Sequence, residues 1–206
     1  IQTANKRALD GGFSTDACFE LLAQVRAKYP TIPIGLLLCA NLIYVPTADV
    51  FFARCQKAGV DAVLVADVPV AYSAEFSERE KKYGIQLVFI CPPNADADTI
   101  QQMATKTEGY TYLVSRAGVT SAENQSHAVN LDNLIVQLKQ ANAAPILQGF
   151  GIAEPQQVKQ ALAMGADGAI SGSAIVKIIE RNLDNQEKLL EELGEFVKNM
   201  KKATAC

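Results

Sequence analysis

The sequence predicts an α/β fold made from one repeated βα unit. We expect a TIM-type (β/α)8 barrel, with its strands three to eight falling within residues 1–206. Six short apolar runs alternate with amphipathic stretches: IPIGLLLC (32–39), VDAVLVAD (60–67), IQLVFIC (85–91), YTYLV (110–114), PILQGFG (145–151) and GAISG (168–172). Near-continuous apolar strands separated by helices are the pattern of parallel strands covered on both faces. The runs begin 23 to 35 residues apart, the length of one βα unit. Two units also share their wording, AGVDAVLVAD (58–67) and MGADGAISGS (164–173), with Gly ending a helix and Asp preceding a strand. That uniformity favours a barrel over a doubly wound sheet. A six-stranded open sheet is the alternative, and its parallel edges would be exposed to aggregation.

The helices follow in order. A first stretch covers 3–9, and TDACFELLAQVRAKY (15–29) spaces Phe19, Leu22 and Val25 along one face. The stretches 49–59 and 73–84 each stop at a Gly, and 98–109 and 131–142 continue the series. In 155–165, Pro155 stands at the first helical position and Gly165 after the last turn. The tail 187–202 carries Leu189, Leu190, Leu193, Phe196, Val197 and Met200 as one apolar stripe. No linker or low-complexity segment divides the chain, so 1–206 reads as a single domain. It opens on a helix-like segment with no strand ahead of it, so a barrel would need two βα units before Ile1 and the domain reads as N-terminally incomplete.

Composition narrows the function. The formal charge is −3 and the one basic cluster is KNMKK, which argues against nucleic-acid binding. No apolar run approaches the length of a membrane span. The five cysteines, Cys18, Cys39, Cys55, Cys91 and Cys206, form no CxxC pair, and His127 is the one histidine, so a metal cluster has few ligands to draw on. Cys39 and Cys91, within or ending apolar runs, read as buried thiols of a reducing, cytoplasmic protein.

Barrel chemistry sits where strands end. QGFGI places two glycines at one such end, where a ligand can approach the backbone, and SGSAIVKII opens a helix with small residues that leave its first N–H groups accessible. Such a stretch is either a tight turn or an anion nest. Their pairing in the last two units favours a phosphate site built from backbone dipoles and Ser173, because neither loop holds Lys or Arg. The loop SRAGVTSAEN (115–124) has the character of a lid, with Arg116 and Glu123 as its charged candidates and His127 just beyond. Tyr110 and Tyr112 point the same way from one strand. Asp67 ends a strongly apolar strand, as a general base or as an anchor of the turn, and no second carboxylate stands beside it.

PIGLL (33–37), LVADVPV (64–70), FICPPNADAD (89–98), GYTYLVSRAGVT (109–120), LQGFGI (147–152) and GAISGSAIVKIIE (168–180) together resemble, in order, the tryptophan synthase alpha chains of enteric-type bacteria. The resemblance implies a lyase that performs retro-aldol cleavage of indole-3-glycerol phosphate to indole and D-glyceraldehyde 3-phosphate. Indole would pass to a beta chain in an αββα heterotetramer. No cofactor is expected in this subunit, and pyridoxal phosphate would belong to the beta chain. By position, Phe150, Gly151, Gly172 and Ser173 resemble the phosphate-binding set, Tyr112 the active-site tyrosine, and Leu37, Leu64, Ala66 and Ile90 the indole pocket. Thr120 resembles the lid threonine that supports a catalytic carboxylate, and Arg116 a lid-stabilising residue. Ser121 takes the place of the glycine that donates an N–H near the phosphate. Asn41, Pro69 and Asn94 fall near the face toward the beta chain, and Cys39 replaces a tyrosine of close relatives.

The family's catalytic glutamate and aspartate would both lie before Ile1, and Asp10 and Asp16 stand too far along to replace them. Two other readings are a barrel fragment that only binds phosphate or a partner chain, and another phosphate-binding barrel isomerase or synthase of tryptophan biosynthesis. The latter would need lysines or paired aspartates at strand ends, whereas Lys57, Lys81 and Lys82 sit in helical stretches.

Overall fold

The computed structural model describes residues 1–115 and 131–205. Its six strands are β1 (Gly35–Leu38), β2 (Ala62–Val65), β3 (Gln86–Cys91), β4 (Thr111–Val114), β5 (Ile146–Gly149) and β6 (Gly168–Ala169). All pair in parallel, each with the next in the chain. Helices α1 (Gln2–Asp10) and α2 (Thr15–Lys28) precede the sheet. The short α3 (Asn41–Tyr44) and α4 (Ala48–Ala58) join β1 to β2, and α5 (Ala74–Tyr83) joins β2 to β3. Helices α6 (Ala97–Lys106), α7 (Leu131–Gln140) and α8 (Pro155–Ala163) precede β4, β5 and β6, and α9 (Ser173–Arg181) and α10 (Gln186–Lys202) end the order.

Local chemistry sets these boundaries. Ser14, Asp96 and Asn185 accept the backbone N–H groups of Ala17, Thr99 and Lys188, capping α2, α6 and α10. Gly59 and Gly84 end α4 and α5 at φ 75° and 68°, a conformation glycine adopts without a Cβ clash. The Asp shared by the two similar units clamps one strand entrance to the next. Asp61 Oδ2 accepts the Ile34 N–H at 2.7 Å while its own N–H donates to the Ile34 carbonyl at 2.8 Å. Asp167 repeats both bonds on Ile146, each at 2.8 Å. Arg26 adds a second fastening at the same end, donating to the carbonyls of Gly59, Pro30 and Ile32 and to Asp61.

Alternation along the strands separates two apolar layers. Val63, Val65, Leu87, Phe89, Cys91, Leu113 and Ile146 pack outward with helix residues such as Phe52, Phe76, Met103, Ile135 and Leu138. Ala62, Leu64, Val88, Tyr112 and Val114 form the inner cluster, with Ile90, Tyr110, Phe150 and Ile170 against it. The sheet curls far enough that Arg7 of α1 reaches Glu180 of α9 at 2.8 Å. Strands β2 and β4 are buried throughout, whereas the outermost β1 alternates and leaves Leu37 60% exposed.

Cys39 corrects the sequence reading, for it is exposed rather than buried. It lies one residue past β1, a strand with a neighbour on one side only, so little covers it. Cys55 and Cys91 are fully buried, and burial pushes both thiols up to about 12. No helix among the described residues is long and apolar enough to cross a membrane.

Glu80 is a polar group set into the core, 4% exposed, and its Oε1 has no hydrogen-bond partner among the described residues. Burial, and secondarily the Glu108 charge, raise its carboxyl from 4.5 to about 8, against an opposing pull from Lys81. Between those values the folded chain keeps a proton that the unfolded chain releases. The stabilising contribution of this group is therefore full below pH 4.5 and is lost as pH rises through about 8. Urea unfolding at pH 6 and 8 is expected to show Glu80→Gln losing less stability over that interval than the parent, by on the order of 1–2 kcal/mol.

Candidate functional site

The C-terminal ends of all six strands lie on one rim, because every pairing is parallel. Strand β5 ends at Gly149, and the chain then takes two consecutive positive φ angles, 71° at Phe150 and 77° at Gly151. One unit later β6 runs through Ser171 and Gly172 into α9. The first N–H groups of α9 have no acceptor within the helix, and its dipole favours an anion there. Among the described residues, a Cβ built on Gly172 meets nothing within 4 Å. The loops are joined directly, since Ser171 Oγ donates to the Ile152 carbonyl at 2.9 Å. On the other side, Ser115 Oγ donates to the Phe150 carbonyl at 3.3 Å. The structure thus brings Phe150, Gly151, Gly172 and Ser173 to adjacent loops, with Phe150 packed against the inner cluster.

Tyr112 stands beside this cradle on the inner face. It is 9% exposed, and burial, then the neighbouring Tyr110, hold its phenol above the usual tyrosine range. The position beside it must be glycine, because a Cβ on Gly149 would lie within 2.8 Å of the Tyr112 ring. The inner face continues across the sheet as an apolar wall. Leu37 pairs in register with Leu64, Leu64 with Val88, and Ile90 with Tyr112. Leu64 is buried, Ile90 half-buried, and Ala66 exposed one residue past β2, where its N–H donates to the Leu38 carbonyl at 2.8 Å.

Asp67 serves the turn. Its Oδ1 accepts the Ala40 N–H at 2.8 Å, tying the end of β2 to the entrance of α3. Asp96 caps α6, and the Thr99 side chain, then the Thr99 N–H, hold its carboxyl below the usual range. Asp10 and Asp16 lie away from the rim, paired with Lys6 and Arg54. Asn41, at the start of α3, and Pro69 and Asn94, in the connections after β2 and β3, are all exposed. Arg116, Thr120, Ser121, Glu123 and His127 lie outside the described residues. Among the described residues, no group of three His, Cys, Asp or Glu side chains is placed to hold a metal ion. Sequence reasoning missed the two serine ties. The small residues of SGS were visible, but which carbonyl each hydroxyl meets depends on neighbouring loops distant in sequence.

An all-parallel βα sheet in strand order, with an apolar inner layer and every strand's C-terminal end on one rim, defines the class of (β/α) barrels. Within that class the chain belongs to the tryptophan synthase alpha chain family, whose model matches residues 1–205. It is 74% identical over 204 residues to the tryptophan synthase alpha chain of Actinobacillus pleuropneumoniae serotype 3, covering 99% of this chain and 76% of that one. It is 66% identical to the alpha chain of Haemophilus influenzae strain PittEE, with the same coverage of 99% and 76%. Among solved structures, the tryptophan synthase complex of Pyrococcus furiosus superposes with a TM-score of 0.85 at 30% identity, over 98% of this chain and 79% of that one.

The two glycines are expected to respond differently. Gly149→Ala forces the Tyr112 ring aside and should cost about 1–3 kcal/mol of unfolding free energy. Gly172→Ala meets no atom of the described residues, so its denaturation midpoint should stay near that of the parent, while a methyl before α9 should weaken any stabilisation by phosphate. Chemical denaturation with and without inorganic phosphate measures both.

Proposed function

We propose that residues 1–206 form the phosphate-gripping and indole-lining part of a single barrel domain, in the alpha subunit of a tryptophan synthase. Its substrate is indole-3-glycerol phosphate. The observation that carries this is one inner face joining a backbone cradle at β5 and β6 to an apolar wall across β1 to β4. The cradle, with Phe150, Gly151, Gly172 and Ser173, holds the phosphate end. Leu37, Leu64, Ala66 and Ile90 offer flat apolar contact to the indole ring, and Tyr112 stands between the two regions.

Retro-aldol cleavage puts a proton on indole C3, breaks the bond from that carbon to the glycerol chain, and leaves the departing carbon as an aldehyde. The hydroxyl proton of the departing carbon goes to a base as its C=O forms. The indole N–H proton, taken up by a base when C3 is protonated, returns to nitrogen as the electrons of the broken bond restore the aromatic ring. No oxidant or reductant takes part. These steps need a placed acid and base. Asp67 and Asp96, beside the ends of β2 and β3, are already engaged with backbone N–H groups. The carboxylate pair implied by the family resemblance is not among these residues, and Thr120 and Ser121 are assigned to lid support and phosphate contact by that resemblance alone. We therefore assign residues 1–206 to binding and orientation.

Partner recognition is proposed for the same rim. Tyr44, Val45 and Tyr72 are exposed apolar groups near Asn41 and Pro69, with Val45 84% and Tyr72 75% accessible. Such a patch suits a protein partner, and a Pyrococcus furiosus relative is described as an a2b2 complex. In this reading the partner is the beta chain of an αββα assembly, which carries the pyridoxal phosphate, and the compartment is the cytoplasm.

A polypeptide of residues 1–206 is expected to bind indole-3-glycerol phosphate while releasing indole at least about a hundredfold more slowly than a full-length relative, the scale of a lost acid–base pair. Calorimetry reads the binding and indole fluorescence the release. Turnover at the relative's rate would overturn the assignment to binding, and absence of binding would overturn the site.

A further inference from the structure

The β5–α8 connection holds a strained backbone. Phe150 is one of three described non-glycine residues at positive φ, with Thr47 and Asn142, and a bulky side chain there is disfavoured by steric contact with its own backbone. Such a conformation persists where the surroundings over-determine it. Three contacts do so here. The Phe150 ring packs on the inner cluster, its carbonyl accepts the Ser115 hydroxyl at 3.3 Å, and the Ile152 carbonyl accepts the Ser171 hydroxyl at 2.9 Å. Ser115 directly follows β4 and Ser171 lies just past β6, so the two strands flanking β5 pin its loop from opposite sides.

We infer that Ser115 and Ser171 are positioning residues for the phosphate site, acting through the backbone of residues 150–152. The inference rests on the phosphate reading above and adds to it the source of the cradle's orientation. In a trans peptide the carbonyl and the following N–H point in opposite directions. The Phe150 carbonyl shares its peptide plane with the Gly151 N–H, so Ser115 turns that N–H away from itself. Ser171 fixes the next turn of the loop and links it to the entrance of α9. The N–H after Ile152, that of Ala153, is already held by Gln157 Oε1 at 2.7 Å. The Gly151 N–H, turned away from Ser115, is the donor we assign to an anion. Neither serine needs to touch the ligand.

The test uses the 206-residue chain and DL-glycerol 3-phosphate, titrated by calorimetry, with chemical denaturation of the phosphate-free protein alongside. Ser115→Ala and Ser171→Ala are each expected to weaken binding about fivefold to tenfold, the worth of one hydrogen bond. Ser115→Thr and Ser171→Thr, which keep the hydroxyl, should restore affinity to within about twofold. The amide resonance of Gly151 should shift in Ser115→Ala without ligand. A purely structural role would lower the denaturation midpoint and leave affinity in the folded protein unchanged, which would overturn the inference. Gly172→Ala separates the two layers of argument. If it weakens binding while both serine-to-alanine variants bind as the parent does, the positioning role falls and the phosphate site stands. If Gly172→Ala and the parent bind equally, or the parent does not bind, the site and the positioning role fall together.

Discussion

Parallel pairing of each strand with the next is the constraint on which everything else depends. It fixes which side chains share the inner face and puts every strand's C-terminal end on one rim. Parallel ladders offer little tolerance for a register slip, because a shift of one residue would exchange the inner and outer layers. Asp61 and Asp167 guard against this at the strand entrances, each joined through its carboxylate and its own N–H to the first residues of the preceding unit. The cradle and the apolar wall sit at the opposite end, where loops are free to carry chemistry.

The two layers divide the work. The outer layer, from Phe52 and Phe76 through Met103 to Leu138, is dense and fully buried and gives the sheet its stiffness. The inner layer is thinner and ends in groups with unusual demands: a glycine that exists to clear Tyr112, and a phenylalanine at positive φ. The strain at Phe150 is held by contacts from the strands on either side of β5. An anion there would be bound by oriented backbone dipoles rather than by a cationic side chain, since neither loop carries one.

Most of the fold was legible in the sequence because it repeats. The spacing of the apolar runs located all six strands, and the doubled Gly and Asp wording marked a helix end and a strand entrance that the structure bears out in φ angles and hydrogen bonds. What escaped notice was non-local. Cys39 reads as a buried thiol in an apolar run, yet its exposure follows from β1 having one neighbour. Asp67 was ambiguous between base and anchor until Ala40 was seen beside it, 27 positions away in sequence. The glycine-rich loops stood out through their composition, but the hydroxyls that tie them to their neighbours did not. Ser115 and Phe150 are 35 residues apart and meet only once β4 and β5 are paired.

In the function proposed above, residues 1–206 hold a phosphate ester between the loops after β5 and β6. Amide resonances of the uniformly labelled chain, followed during a titration with indole-3-glycerol phosphate, test it most directly. Saturable shifts are expected to concentrate at Gly151, Gly172 and Ser173, with smaller ones along Leu64, Ile90 and Tyr112. Saturable shifts centred elsewhere on the molecule, or none at these positions, would contradict it.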